Sequence, residues 1–230
     1  MQKETEIFDK ILKELDKKGV LRDIILIGGW CPLVYQEHFH AKNEIHFKAT
    51  TDIDLLIPNP PKIRKEVDVG RMLTDFGFDQ QISPTTGLCN YINPLLKVEF
   101  LTPEKGSGRD KPYNIKKLGI NAVGLRYLTL LEANTIKAAY KGITLNVPEP
   151  AAFVLHKFII SARRPNPAKK EKDVDTAKDI GHFILKHEPQ KMQLLKVYDS
   201  LPNKWRLSLL DVLKKSSLEI YGYIHEQRMA

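Results

Sequence analysis

Apolar positions in the first 150 residues follow two different periods. Residues 4–18 carry five apolar side chains at helical spacing and are followed by Gly19, which predicts a helix ending there. Residues 23–27 and 51–57 are short runs rich in Ile and Leu, which predict buried strands. Further strands are predicted over residues 78–82, 95–101 and 143–147, and further helices over residues 30–38, 67–76 and 125–140. This mixture predicts an α/β (α+β) fold, a mixed sheet with flanking helices.

The pattern changes after Pro148 and Pro150. Beyond them, apolar residues keep helical spacing over residues 151–161, 171–186, 190–200 and 204–220, with no convincing strand. We therefore expect two domains, an α/β domain over residues 1–147 and a C-terminal helical domain over residues 148–230.

The composition is that of an ordinary folded protein. The 230 residues are 42% hydrophobic and 28% charged, which argues against the disordered and fibrous classes. No apolar run approaches the roughly 20 residues of a membrane span. Two cysteines are too few for a disulfide scaffold. We expect a cytoplasmic protein without a membrane partner.

Positive charge is concentrated toward the C-terminus. The net charge is +8, and residues 151–230 hold 15 Lys and Arg against 9 Asp and Glu, whereas the first 150 residues hold 21 against 19. A basic region of this kind favours an anionic partner such as nucleotide phosphates or nucleic acid. A solvated basic surface explains the same charge equally well.

Two aspartates interrupt the strand predicted over residues 51–57. Asp52 and Asp54 are two residues apart, and such residues point to the same face of a strand. Adjacent carboxylates repel each other unless a cation lies between them, and oxygen-only ligands suit Mg²⁺ or Mn²⁺. The alternative is a strand end with two solvated aspartates.

Three other residues extend this pattern. Gly28 and Gly29 follow the first strand, and glycines before a helix allow close backbone approach to a phosphate. Glu99 lies within another apolar strand, where a carboxylate needs a partner or the edge of a cleft. A plain strand-to-helix turn and a half-exposed edge strand are the alternatives.

Residues 102–114 are predicted to form a loop. Gly106 and Gly108 lie in it among basic residues, but the spacing of a phosphate-binding loop of the GxxxxGK[ST] type is absent. A flexible basic loop is the expectation.

The three motifs together resemble a known superfamily. The segments IGGW at residues 27–30, TDIDL at 51–55 and VEF at 98–100 are similar to the nucleotidyltransferases of the DNA polymerase β type. The GGW and DIDLL segments resemble antibiotic nucleotidyltransferases. Lys157, Arg163 and Asp173 resemble a pattern in poorly characterised bacterial nucleotidyltransferase-like proteins related to abortive-infection and toxin–antitoxin toxins.

The resemblance implies a metal-dependent transfer of an NMP group from an NTP. Asp52 and Asp54 would bridge two Mg²⁺ (or Mn²⁺) ions about 4 Å apart. Glu99 would bind one of these ions and take the proton of the attacking hydroxyl as general base. Gly28 and Gly29 would hold phosphate.

The resemblance also implies nucleotide-binding residues in the helical region. Lys157 and Arg163 would supply positive charge to the triphosphate, and Asp173 would either orient Lys157 or cap its own helix. ATP is the expected nucleotide, although nothing in the sequence identifies the base of the NTP.

The acceptor is left open. The basic C-terminal region favours RNA or a protein hydroxyl over a cationic antibiotic, which would prefer acidic walls. A non-catalytic nucleotide- or nucleic-acid-binding module is the alternative from another class. The sequence carries no signal for an oligomeric state.

Overall fold

The protein divides into two compact units. The computed structural model describes residues 2–84, 87, 89–104 and 112–228. One unit comprises Met1–Phe39 and Phe47–Pro148, and the other comprises His40–His46 and Glu149–Ala230. The basic loop predicted around Gly106 and Gly108 lies outside the described residues.

The first unit combines four helices and nine strands among the described residues. The helices are α1 (Gln2–Lys17), α2 (Cys31–His38), α3 (Val69–Asp75) and α4 (Leu128–Ala133). The strands are β1 (Ile25–Ile27), β2 (Asp52–Leu56), β3 (Asp79–Ile82), β4 (Cys89–Ile92), β5 (Lys97–Pro103), β6 (Tyr113–Ile115), β7 (Ile120–Leu125), β8 (Thr135–Tyr140) and β9 (Ile143–Pro148). A 3₁₀ turn over Gly28–Trp30 joins β1 directly to α2.

The strands form one mixed sheet. Its order is β3-β4-β5-β2-β1-β9-β8, with β7 alongside the end of β5 and β6 paired to β7. The pairs β2–β5, β1–β9 and β5–β7 are parallel, and the remaining pairs are antiparallel. The predicted mixed sheet with flanking helices is confirmed.

The central strand β2 has one apolar face and one polar face. Ile53 and Leu55 are fully buried, while Asp52 and Asp54 are half-buried. This alternation follows from the period of two in a strand. Helix α1 contributes four buried apolar residues to the core of this unit: Phe8, Ile11, Leu12 and Leu15.

The described secondary structure of the second unit consists of helices. It contains α5 (Pro150–Ser161), α6 (Pro167–Lys186), α7 (Glu188–Ser200), α8 (Asn203–Ser216) and α9 (Leu218–Arg228). Helix α5 is buried on almost every side and packs against α6, α7 and α8. A helix that is apolar all round can be stable only at the centre of such a bundle.

The short segment His40–His46 belongs to this second unit. The backbone N–H of His46 donates to Asp179 Oδ2 at 2.6 Å. Glu44 Oε2 lies 3.1 Å from His187 Nε2. These two contacts tie the segment to α6 and to the residue between α6 and α7.

The helix predicted over residues 125–140 is largely wrong. Only α4 is helical there, and Thr135–Tyr140 forms β8 instead. The Asn134 side chain donates to the Leu130 carbonyl at the end of α4. After it the chain pairs along its whole length with β9 through a turn at Gly142. Hairpin pairing outweighs the helix propensity of the two alanines in β8.

Smaller differences concern element ends. Strands β4, β6 and β7 were not expected, and the single helix predicted over residues 204–220 is divided at Ser217 into α8 and α9. Within the described residues, no helix is both long and apolar enough to cross a membrane.

Candidate active site

Three carboxylates lie side by side on neighbouring parallel strands. Asp54 of β2 is the register partner of Glu99 of β5, and Asp52 is the partner of Lys97. Directly paired residues of parallel strands point to the same face, as do residues two apart in one strand. Asp52, Asp54 and Glu99 therefore share one face of the sheet with Lys97.

Gly28 lies directly against Asp54. A Cβ added to Gly28 would be 2.0 Å from Asp54 Oδ2, and the Gly28 φ angle is +75°. Only glycine adopts that conformation without strain and also leaves this space. The backbone of the turn after β1 is thereby brought against the carboxylate.

Gly29 is enclosed by a different side chain. A Cβ at this position would be 2.9 Å from both Oγ1 and Cγ2 of Thr50, which precedes β2. Trp30 is buried and stacks on Phe8 with ring centroids 4.0 Å apart. Trp30 is consequently a core residue rather than a platform for a base.

Glu99 is held by two neighbouring donors. Lys97 Nζ lies 2.8 Å from Glu99 Oε1. The Asn90 amide, in the orientation that satisfies its neighbours, donates to the same oxygen at 3.1 Å. Burial acts to lower the pKa of Lys97, but the hydrogen bond and charge of Glu99 and the charges of Asp52 and Asp54 hold that pKa above its ordinary value.

The donor chemistry of this face fits a divalent cation. Asp52, Asp54 and Glu99 offer only oxygen ligands, the type that Mg²⁺ and Mn²⁺ prefer. Among the described residues, however, no group of three or more His, Cys, Asp or Glu side chains is arranged as a formed metal centre. The predicted metal ligands stay a prediction.

The second unit contains a charged cluster of its own. Lys157 Nζ on α5 donates to Asp173 Oδ1 at 2.6 Å, and Arg164 Nε donates to Asp173 Oδ2 at 2.7 Å. The Lys157 and Asp173 side chains are only 13% and 7% exposed. Burial acts to raise the pKa of Asp173, but Lys157 and Arg164 hold it below its ordinary value.

Asp173 is not a helix cap. Helix α6 begins at Pro167, where the Asn166 side chain accepts from the Lys169 N–H, so Asp173 lies well inside the helix. The structure thus contradicts the capping alternative and supports the alternative in which Asp173 orients Lys157. The predicted Arg163 is exposed, and its neighbour Arg164 makes the bond to Asp173.

His156 is buried and directly precedes Lys157 in the sequence. Burial, followed by the positive charge of Lys157, lowers the pKa of His156 to about 3. Its Nε2 atom is buried and finds no hydrogen-bond partner within the described part of the chain. His156 is therefore neutral at physiological pH.

Comparison with known families decides the class of the chain. The family described as Nucleotidyltransferase matches residues 7–198. The chain belongs to this nucleotidyltransferase family. The predicted superfamily and the predicted enzyme class are both confirmed.

Solved structures agree with this assignment at the level of the fold. The nucleotidyltransferase is similar to an antigenic nucleotidyltransferase-like protein from Paracoccidioides brasiliensis, with 14% identity, a TM-score of 0.52, and coverage of 96% of this chain and 91% of the other. A weaker match, which carries no argument about the fold, is the antibiotic-resistance factor ANT(2'')-Ia, with 11% identity, a TM-score of 0.43, and coverage of 99% of this chain and 92% of the other. No characterised protein sequence matches significantly.

Sequence reasoning missed three polar residues of the nucleotidyltransferase. Asn90 lies in a strand that was not expected, and Lys97 was given no role. Arg164 was passed over in favour of Arg163. A lysine two residues before Glu99 on the same face was the one available signal, because side chains at that spacing are neighbours.

Proposed function

We propose that this nucleotidyltransferase moves an NMP group from an NTP to an acceptor hydroxyl at the face formed by Asp52, Asp54 and Glu99. The hydroxyl oxygen forms a bond to the α-phosphorus, the bond between that phosphorus and the bridging oxygen to the β-phosphate breaks, and pyrophosphate leaves. The observation that carries this proposal is the parallel register of β2 and β5, with Asp54 opposite Glu99.

Asp52, Asp54 and Glu99 are the residues that would hold Mg²⁺ or Mn²⁺. A divalent cation there would neutralise phosphate charge and favour ionisation of the hydroxyl. Neighbouring carboxylates repel one another and destabilise the fold unless a cation offsets their charge. This repulsion supports a cationic ligand at this face.

Side chains and backbone groups of the enzyme would accept the proton and bind the phosphates. Glu99 accepts the proton of the acceptor hydroxyl, and Asn90 donates a hydrogen bond to its carboxylate. Gly28 and Gly29 offer a backbone unhindered by Cβ atoms to the phosphates, while Gly28 also lets Asp54 approach the turn.

Lys157, Arg163 and Asp173 stay predicted nucleotide-binding residues. Lys157 and Arg164 together carry one more charge than Asp173 neutralises, so their cluster has a net positive charge. Such a cluster suits a triphosphate, since an ammonium group acts as a compact point charge and a guanidinium group as a fork.

The charge distribution favours RNA or a protein as the acceptor of the NMP group. Residues 151–230 carry six more positive than negative charges, the arrangement expected beside an anionic polymer. A small antibiotic is the second candidate acceptor, motivated by the GGW and DIDLL segments. ATP as the nucleotide and a cytoplasmic setting remain part of the proposal.

Labelled nucleotides test the proposal directly. Each of the four NTPs, labelled at the α-phosphate, is incubated with the full chain, Mg²⁺ or Mn²⁺, and total RNA, total protein or antibiotics in turn. Metal-dependent labelling of one acceptor is expected, and Asp54→Asn should abolish it. An intact, folded chain that labels no acceptor with any NTP would instead support the non-catalytic binding module.

A further inference from the structure

Lys97 lies on the carboxylate face of β2 and β5 and forms an ion pair with Glu99. It is the register partner of Asp52 and precedes Glu99 by two residues in β5. Its Nζ atom lies 2.8 Å from Glu99 Oε1, and both side chains are about a quarter to a third exposed. The pair is therefore in reach of solvent.

The same oxygen of Glu99 also accepts from Asn90 at 3.1 Å. Two donors on Oε1 turn the carboxylate of Glu99 toward its own strand and toward β4. A divalent cation and an ammonium group compete for the same carboxylate because both bind its negative charge.

From this geometry we infer that Lys97 is an internal counter-ion for the carboxylate face. It occupies Glu99 in the cation-free enzyme, and Glu99 leaves Lys97 when a divalent cation binds to Asp52 and Asp54. The inference rests on the proposed function. Lys97 then stabilises the enzyme before cation binding and weakens its affinity for the cation.

The chemistry of lysine suits such an exchange. The ammonium group sits on a flexible four-carbon stem, so Lys97 can move away without any change in β5. The rival explanation is a permanent pair, in which Lys97 and Glu99 stay bonded and Glu99 never contacts the cation.

Binding of Mn²⁺ without nucleotide separates the two explanations. Free Mn²⁺ is measured by electron paramagnetic resonance during titration of the wild type and of Lys97→Met, which keeps the length of the stem. We expect Lys97→Met to bind Mn²⁺ about tenfold more tightly, the size of effect that removing a nearby charge has at a partly exposed site. Unchanged or weaker binding overturns the inference. Tighter binding that comes only from the lost charge of a permanent pair would persist in a Glu99→Gln background, which distinguishes it from the exchange.

Thermal unfolding supplies a second readout. Without cation, Lys97→Met should melt at a lower temperature than the wild type, since Glu99 then lacks the ion pair that offsets its repulsion by Asp52 and Asp54. Mn²⁺ should raise its melting temperature by more than that of the wild type. Lys137→Met on β8 is the matched control, because it removes one positive charge from an exposed position of the same sheet. An equal change in the control overturns the specific role of Lys97.

A double variant tests whether Glu99 is the group that moves. In a Glu99→Gln background, adding Lys97→Met should change Mn²⁺ affinity less than threefold, because no ion pair remains to be broken. A tenfold effect there contradicts the exchange. Lys97→Gln replaces Lys97→Met in every arm if the methionine variant does not fold.

Failure of the inference differs visibly from failure of the proposed function. A wild type that binds Mn²⁺ and transfers NMP, with Lys97→Met no tighter, overturns only the exchange. A wild type that neither binds Mn²⁺ nor transfers NMP overturns the proposed function, and the exchange with it.

Discussion

Gly28 and Asp54 are so close that a side chain at position 28 would displace the carboxylate of Asp54. A Cβ there would lie 2.0 Å from Asp54 Oδ2, and the φ angle of +75° belongs to the left-handed region. The turn that follows β1 and the carboxylate in β2 are thus fixed relative to each other. Gly142, with a φ angle of +80°, has the same backbone conformation but no atom within 4 Å of an added Cβ.

Gly28→Ala should lower the free energy of unfolding more than Gly142→Ala does. The left-handed conformation alone costs an alanine about 1–2 kcal/mol, which is the loss expected for the control. Overlap with Asp54 adds roughly 1–3 kcal/mol at position 28, as in other overpacked sites. Urea unfolding of both variants measures the difference. Equal losses would show that Asp54 moves aside freely.

Asp54→Asn should leave the fold intact and reduce NMP transfer by about 100-fold. A loss of roughly 3 kcal/mol in transition-state stabilisation has this effect on the rate. The control is Asp79→Asn, which removes a carboxylate from an exposed position of β3 in the same sheet. Steady-state transfer of labelled NMP, with melting curves to verify folding, measures both. Transfer at the wild-type rate in Asp54→Asn would contradict the role given to this carboxylate.

Lys157→Ala should weaken NTP binding by about 1–3 kcal/mol, the scale of a hydrogen bond to a charged group. Because the Lys157 side chain is only 13% exposed, the loss should persist at higher salt. Calorimetric titration at two salt concentrations measures it, with Lys178→Ala on the exposed part of α6 as control. Unchanged affinity would leave Lys157 as a structural partner of Asp173 alone.

Glu149→Gln should flatten part of the pH dependence of stability. Burial raises the pKa of Glu149 to about 7, against the hydrogen bonds that its carboxylate accepts from Ala151 and Ala152. A raised pKa means that the folded state binds the proton more tightly, so stability declines as pH rises from about 4.5 to about 7. The variant should be less stable than the wild type at pH 4.5 relative to pH 8. A difference in unfolding free energy that stays constant over this range would refute the assignment.

The sequence predicted the shared face of Asp52 and Asp54 better than the strand pairing around it. Spacing alone places Asp52 and Asp54 on one face, because a strand has a fixed period of two. Which strand lies beside β2 depends on pairing between residues far apart along the chain. The pairing of Asp54 with Glu99 could therefore be recognised only from a structure or from a family resemblance. Asn90 was invisible for the same reason.

Two errors have clear physical causes. Thr135–Tyr140 is rich in helix-forming residues, but its pairing with β9 outweighs local preference. Arg164 was missed because α5 ends at Ser161, so helical spacing no longer indicates where the following side chains point. Local patterns are informative within an element and fail at its end.

The path of the chain determines how the two units can be produced separately. The polypeptide passes from one unit to the other after Phe39, after His46 and again after Pro148. A stop codon or a protease cut at residue 148 would therefore leave residues 40–46 on the other fragment. The released helical fragment would lack the bonds from this segment to Asp179 and His187. Separate study of the helical unit requires a transplanted segment or a circularly permuted gene.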